Sequence, residues 1–267
     1  MTDWGIANPL AHSDNNTSTV NYPGVGNVPS PGGAGGELSD MEGLYARLQG
    51  SSLQVLQVTS ADTAAYSSIW SRYYRMGDLF IDIGHNGSYD FGLVNTNTTS
   101  YGPWSKFTGS GYTTFDHSAA PGTLFALDSA NDLAGIVGLD RGGYGNDANV
   151  RTAANPWAID EGNATATGAV ATVATATFNY GTVAGKNEND THFTEWTIPV
   201  SFLGLTAGEA FDMYLHTTIE CGNDVNSLLI HETVPGDDNI VPEPLTMASI
   251  FTGLVSLGGY LRRRAKA

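Results

Sequence analysis

Two sets of side chains alternate along the segment from Glu209 to Glu220. A mainly apolar set alternates with a polar one: Phe211, Met213, Leu215, Thr217 and Ile219 against Asp212, Tyr214, His216, Thr218 and Glu220. Because successive side chains of a β-strand point to opposite faces, the pattern predicts a half-buried antiparallel strand. No long helical period precedes residue 240, and the chain contains no internal repeat.

Further strand-like runs follow one another along the chain, separated by turn residues. They cover residues 41–48, 53–59, 78–83, 89–94, 123–128, 133–139, 169–180 and 192–198. Asn86-Gly87 indicates a hairpin, because both residues tolerate positive φ. Residues 62–74 fit a short helix or a loop, and 201–205 fit a single helical turn. Together the runs predict an all-β fold, a single antiparallel β-sandwich of jelly-roll type over residues 37–234.

Residues 1–36 differ in composition from the part that follows. Pro23, Pro29, Pro31 and the glycine-rich residues 32–36 interrupt regular structure, so this segment is expected to be irregular. Residues 235–240 are interpreted as a linker. Hydrophobic residues make up 41% of the chain, and its single cysteine cannot form an intramolecular disulfide. The fold is therefore expected to depend on its hydrophobic core.

The C-terminal stretch, residues 241–267, has an order that no globular core requires. It contains the motif Val241, Pro242, Glu243 and Pro244, then an uncharged apolar run from Leu245 to Leu261, then Arg262, Arg263, Arg264 and Lys266. An apolar helix of about 17 residues is at the lower limit for spanning ~30 Å of hydrocarbon. Basic residues after such a helix stay on the cytoplasmic side. The sequence thus predicts a C-terminal transmembrane helix with a basic membrane stop.

In composition and order, residues 241–267 resemble the PEP-CTERM sorting signal of exported bacterial proteins. The resemblance implies that an exosortase, a membrane transpeptidase-like enzyme, recognises the tail and removes it near the Pro-Glu-Pro motif. It implies an exported protein of the cell envelope or extracellular matrix, anchored transiently in the inner membrane. A structural or adhesive role in an exopolysaccharide matrix or biofilm would follow. A permanent membrane anchor and a buried helix are the alternatives from the residues alone.

The N-terminus does not match this destination. Residues 1–5 have neither the basic residues nor the apolar run of a secretory signal peptide. The sequence is therefore expected to be truncated or misassigned at its start, or to lack its signal. The alternative is that the tail acts as an anchor by itself.

A second resemblance concerns the body of the chain. Residues 78–94, followed by Glu195–Leu205 with its Ile198-Pro199 corner, are similar to the CBM9-like and DOMON-like β-sandwich domains. Residues 216–224 are similar to the closing strand of domains found beside PEP-CTERM tails. Such domains bind sugars in some cases and haem in others. The resemblance therefore implies a β-sandwich and leaves the ligand open.

The formal net charge is −16, from 27 acidic and 11 basic residues. A surface of this sign repels nucleic acid and anionic lipid, so nucleic acid is excluded as a partner. It would suit divalent cations, although solubility outside the cell explains the same charge.

Oxygen-bearing side chains cluster in and beside the predicted hairpin turn. Asp82, Asn86, Ser88 and Asp90 occupy positions one, five, seven and nine of a loop that has Gly87 at position six. An EF-hand is excluded, because Gly84 stands at position three and Leu93 at position twelve. A weaker calcium site that uses Asp78, Asp82, Asn86 and Asp90 remains, with a plain Asn-Gly hairpin as the alternative.

Aromatic residues are frequent near a polar insertion, residues 95–117. Trp70, Tyr101, Trp104 and Tyr112 could offer flat faces on which sugar rings stack. The alternative is that these aromatics pin the loop to the sandwich. A carbohydrate-binding module is therefore the second candidate for function, after the structural role.

Enzymatic motifs are absent from the sequence, so the chain is predicted not to be an enzyme, with a glycan-active enzyme as the remote alternative. His216, Glu220 and Cys221 suggest a metal site at first sight. However, His216 and Glu220 would lie about 13 Å apart along a strand. These residues are interpreted as part of a structural turn.

Overall fold

The computed structural model of this protein describes residues 11–13, 18–22, 26–30, 41, 43–59, 64–67, 72–98, 100–107, 112–134, 156–179, 190–220 and 225–236. The chain divides into two units, Met1–Val234 and Pro235–Ala267, and every described strand belongs to the first unit. The regular structure of the described residues consists of β-strands and two short 3-10 helices. The predicted all-β class is confirmed.

In chain order the strands are β1 (Ala11–Ser13), β2 (Ser18–Tyr22), β3 (Gly26–Ser30), β4 (Gly43–Gln49), β5 (Ser52–Thr59), β6 (Ala64–Ser67), β7 (Arg72–Arg75), β8 (Leu79–Ile83), β9 (Phe91–Leu93), β10 (Ser105–Phe107), β11 (Tyr112–Thr114), β12 (Thr123–Ala126), β13 (Leu133–Ala134), β14 (Ala158–Ile159), β15 (Thr165–Val170), β16 (Thr172–Asn179), β17 (Asp190–Pro199), β18 (Ala210–Thr218) and β19 (Val225–Thr233). The 3-10 helices are Ala130–Asp132 and Val200–Leu203. The second of these confirms the predicted helical turn after Pro199, and it ends at Gly204 in the left-handed conformation.

The strands form two main sheets, and all of the described pairings are antiparallel. The five-stranded sheet has the order β1-β4-β5-β17-β16, and the six-stranded sheet has the order β15-β12-β9-β8-β18-β19. Four two-stranded ribbons accompany them: β2-β3, β6-β7, β10-β11 and β13-β14. The predicted hairpins at 41–59 and 78–94 are therefore confirmed as β4-β5 and β8-β9.

Side chains from both sheets meet in one hydrophobic core. Leu44, Val55 and Trp196 of the five-stranded sheet join Ile81 and Leu215 of the six-stranded sheet, and all five are buried. Side chains alternate between the two faces of a strand, so every second residue of each strand can point into this core. Burying a side chain of this size stabilises the fold by about 1.5–3 kcal/mol.

The long strand predicted over residues 169–180 is divided between the two sheets. β15 belongs to the six-stranded sheet and β16 to the five-stranded sheet, with the buried Ala171 between them. Gly122 lies against this crossing, with φ 88°, and a Cβ there would come within 2.5 Å of the Ala171 carbonyl oxygen. Small residues on both sides thus let the chain change sheets within a single residue.

Part of the outer face of the six-stranded sheet is covered by the segment that contains β14. Ile159 of this segment packs with Phe80 and Phe125 of the sheet in a second hydrophobic cluster. The segment lies close to the backbone just before β8. A Cβ at Gly77 would be only 2.3 Å from the carbonyl oxygens of both Trp157 and Thr218.

This cover corrects one prediction about β18. The polar face of residues 210–220 was expected to meet solvent, and Asp212 does so. His216 and Glu220 are instead 1% and 0% exposed. The Nε2 group of His216 donates a hydrogen bond to the carbonyl oxygen of Pro156 at 3.0 Å, so the covering segment supplies the polar partner that burial requires.

Residues 1–36 also differ from expectation, since they contain three strands. β1 pairs with β4 at the edge of the five-stranded sheet, and β2 pairs with β3. Pro29 stands opposite Thr19 in that two-stranded ribbon. A proline is tolerated there because an edge strand does not need every N–H group for pairing.

The structure describes nothing beyond residue 236, so the predicted sorting motif, apolar run and basic residues of 241–267 lie outside the described residues. The same holds for Cys221 and for residues 135–139 of a predicted strand. In the ranges that are described, no helix has the length and apolar character needed to cross a membrane.

Candidate functional site

A groove opens beside the β8-β9 hairpin on the covered side of the six-stranded sheet. It has a volume of about 470 Å³ and is lined by Gly87, Ser88, Tyr89, Asp90, Leu127, Asp128, Ser129, Ala130, Leu133 and Pro156. The turn between β8 and β9 forms one wall, and the segment that follows β12 forms the other. Strands of the same sheet hold both walls, since β9 pairs with β8 and with β12.

Buried carboxylates hold the two walls from within. Asp82 accepts hydrogen bonds from the backbone N–H groups of Asn86 at 3.0 Å and Gly87 at 2.9 Å. On the opposite wall, Asp132 accepts from the N–H groups of Asp128 at 2.9 Å and Ser129 at 3.0 Å. Carboxylates bonded to consecutive N–H groups fix a turn tightly, so the groove is formed before any ligand arrives.

The conformation of the hairpin turn differs from the simple Asn-Gly type. Positive φ values occur at Gly84, His85 and Gly87, and Asn86 is not among them. His85 stacks on Tyr214 of β18, with ring centroids 5.3 Å apart. The Asp82 contacts, rather than a tight two-residue turn, therefore set the shape of this loop.

Tyr89 lies half-buried at the wall of the groove. Its ring packs against Phe80 at 5.4 Å and His216 at 5.7 Å between centroids. Burial, together with the nearby Tyr214 and Asp82, raises the pKa of Tyr89 far above its usual value. The phenol is therefore neutral at every physiological pH and can both donate and accept a hydrogen bond.

The structure places three of the four predicted calcium ligands together and the fourth elsewhere. Asp82, Asn86 and Asp90 belong to the hairpin, where Asp90 accepts a hydrogen bond from the N–H group of Ile83 at 2.6 Å. Asp78 precedes β8 and lies about 13 Å along the strand from Asp82. Among the described residues, no group of three or more His, Cys, Asp or Glu side chains could hold a metal ion. Calcium binding stays a prediction.

Asp78 instead belongs to a buried charge cluster that the sequence did not reveal. His117 lies between two carboxylates, with Nε2 3.5 Å from Asp78 Oδ2 and Nδ1 2.9 Å from Glu161 Oε1. Neither ring nitrogen makes a well-aligned hydrogen bond to the described residues, so these contacts are ionic. Asp78 also accepts from the N–H groups of Asn95 at 2.9 Å and Ile159 at 2.8 Å, which ties strand β14 and the residues after β9 to the start of β8.

The two carboxylates determine the charge of His117. Burial by itself lowers the pKa of His117, but Asp78 and Glu161 outweigh it and raise that pKa to about 9. Burial raises the pKa of Glu161, but His117 and the N–H groups of Ser118 and Ala119 outweigh it and hold that pKa below its usual value. His117 is therefore a buried cation at neutral pH, paired with two anions.

A second buried ion pair lies next to this cluster. Arg75 Nη1 is 3.3 Å from Glu220 Oε2, and both side chains are almost completely buried. The guanidinium also donates to the carbonyl oxygen of Gly102 and lies 4.7 Å from the ring centroid of Trp104. Trp104 in turn contacts His117, with centroids 3.9 Å apart. Arg75 and Trp104 thus join the insertion to the sheet through one continuous set of contacts.

Two of the four aromatic residues proposed for sugar binding have described side chains, and these two differ in exposure. Trp104 is 3% exposed, and its face stacks on Trp157 with centroids 5.1 Å apart, so it serves to pin the insertion. Tyr101 is 36% exposed and stacks on Tyr73, which is 42% exposed, at 4.4 Å. Tyr112 lies in β11, where its side chain is not described, and residue 70 is outside the described residues.

Comparisons with protein-family models, curated proteins and solved structures gave no match to this chain. The functional interpretation of the groove, the buried charge cluster and the exposed tyrosine pair therefore depends on the structure of this chain alone.

Proposed function

We propose that this protein is an exported bacterial protein of the cell surface or extracellular matrix, sorted through residues 241–267, with a structural or adhesive role. The observation that carries the proposal is the order of the tail in the sequence: Pro-Glu-Pro motif, uncharged apolar run and basic cluster. An apolar run followed by basic residues favours a bilayer orientation with the basic end in the cytoplasm. An exosortase-type enzyme would then cut near the motif and release the body of the protein.

The body is proposed to be a single β-sandwich of jelly-roll type. The shared hydrophobic core of the two main sheets supports this architecture. Such a body is suited to a passive role, because its buried cations, Arg75 and His117, are engaged in ion pairs. It also folds without a disulfide, since the chain has one cysteine.

The test follows the full chain, placed behind a secretory signal peptide and an N-terminal epitope tag, in a host that has an exosortase and in the matched deletion strain. We expect a shortened, released product in the first host and full-length protein in the membrane fraction of the second. Replacing Pro242, Glu243 and Pro244 together by Ala should block processing, while Pro235→Ala, outside the motif, should not. Identical size and fractionation in the two hosts would show a permanent anchor and refute the proposal.

Carbohydrate binding is the second candidate function. The groove beside the hairpin favours it, because it is preformed, concave and of mixed polarity. The two functions are compatible, since an adhesive matrix protein needs a contact with polysaccharide.

A further inference from the structure

We propose that the groove between residues 87–90 and 127–133 binds a neutral saccharide unit of an extracellular polysaccharide. This proposal rests on the carbohydrate-binding function and is independent of the sorting of the tail. It assigns the contact to the groove rather than to the aromatic insertion that the sequence indicated.

The size of the groove suits a small polar ligand. Its volume of about 470 Å³ lies within the ~300–1,000 Å³ typical of small-molecule sites. Because Asp82 and Asp132 already hold the backbone of the two walls, little conformational entropy is lost when a ligand enters. A rigid site of this kind can bind a weakly hydrophobic ligand such as a sugar ring.

The lining offers the two kinds of surface that a sugar ring presents. Leu127, Leu133 and Pro156 provide apolar atoms for the C–H face of the ring. Asp90 and Asp128 provide carboxylate oxygens that accept hydrogen bonds from ring hydroxyls. A sugar ring can use both surfaces at once, because its hydroxyls donate to the carboxylates while its C–H face covers the apolar atoms.

Asp128 lines the groove with an exposed side chain that a ligand can reach. Its backbone N–H group is already bonded to Asp132. Ser88, on the opposite wall, is also exposed, and its N–H group is bonded to Asn86 Oδ1 at 2.9 Å. Replacing either side chain therefore changes the groove while leaving these backbone contacts in place.

The charge of the site decides between neutral and acidic polysaccharides. Two groove carboxylates and a net charge of −16 repel uronate- or sulfate-bearing polymers. The ligand is accordingly a neutral sugar rather than an anionic one.

The experiment uses the full chain in native affinity electrophoresis, in gels that contain a neutral glucan, a neutral mannan, a neutral galactan or the anionic polymer alginate. We expect retardation by at least one neutral polymer and none by alginate. Asp128→Ala and Ser88→Ala should each weaken the binding, the former by about tenfold or more through loss of a charge-assisted hydrogen bond. Circular dichroism should show unchanged folding of both variants.

The matched control is Tyr101→Ala, which removes an exposed aromatic face outside the groove and should bind like the parent chain. Absence of binding to all three neutral polymers would overturn the proposal. So would loss of binding in Tyr101→Ala with retention in both groove variants, or alginate binding of equal strength. None of these outcomes affects the processing assay for the tail, so the two proposals fail separately.

Discussion

Replacing His117 by Gln removes the positive charge that lies between Asp78 and Glu161 in the buried cluster. Glutamine keeps a polar group of similar length but cannot take up a proton. The two carboxylates would then face each other without a cation between them, which is unfavourable in a buried site. We expect the variant to be less stable than the parent chain at neutral pH.

The magnitude follows from the pKa of His117, which the fold raises from 6.5 to about 9. One pKa unit corresponds to about 1.4 kcal/mol, so the protonated ring contributes ~3 kcal/mol to the free energy of unfolding. The folded-state pKa lies above the unfolded value of 6.5. The contribution is therefore complete below that value and is lost as the pH rises through about 9.

Urea denaturation from about pH 6 to about pH 10 measures this effect directly. The parent chain should lose ~3 kcal/mol across the range through His117, whereas the His117→Gln variant should start lower and lack that loss. His231→Gln, which alters an exposed histidine, should follow the parent chain. If the parent chain and His117→Gln lose stability in parallel, the buried cation does not exist and the reasoning is wrong. The imidazole carbon shift of His117 in NMR gives an independent pKa.

Two further predictions concern packing and the second ion pair. Gly77→Ala should lower the free energy of unfolding by more than ~3 kcal/mol, because the new methyl group overlaps two backbone carbonyl oxygens that cannot both move. Gly162→Ala, which meets a single side-chain atom at 3.4 Å, should unfold like the parent chain, and equal thermal melting of both variants would contradict this packing. Glu220→Gln should cost about 3–5 kcal/mol in chemical denaturation, because it leaves the buried charge of Arg75 without its carboxylate. Asp212→Asn, in an exposed pair, should change the stability by at most about 1 kcal/mol, and a similar small effect for Glu220→Gln would contradict the pairing.

The strands were predictable because their signal is local. Alternation along β18 and the paired runs of β4-β5 and β8-β9 follow from the two-residue period of side chains, which is independent of the rest of the chain. The turn after Pro199 is local for the same reason, since Gly204 can adopt the left-handed conformation that ends it. These elements suffice to predict the all-β class.

The assignment of strands to sheets needed information that a local pattern does not contain. The sequence predicts one long strand over residues 169–180, yet this stretch is shared between β15 and β16, which pair in different sheets. Ala171 and Gly122 allow the crossing because they are small enough to approach closely. Such a contact joins residues far apart in the chain, so it becomes visible only when the sheets have formed.

The candidate sites likewise depend partly on local sequence patterns and partly on contacts between distant residues. The sequence by itself determined the strand pattern, the acidic hairpin that forms one wall of the groove and the order of the C-terminal tail. The tertiary structure decided which polar residues are buried, because the segment from Pro156 to Glu161 covers part of one face of the six-stranded sheet. That cover supplies the partner of the buried His216 and brings Glu161 to His117, while Arg75 of β7 pairs with the buried Glu220. Burial and charge pairing depend on which segment covers which face, and residue spacing alone does not encode that choice.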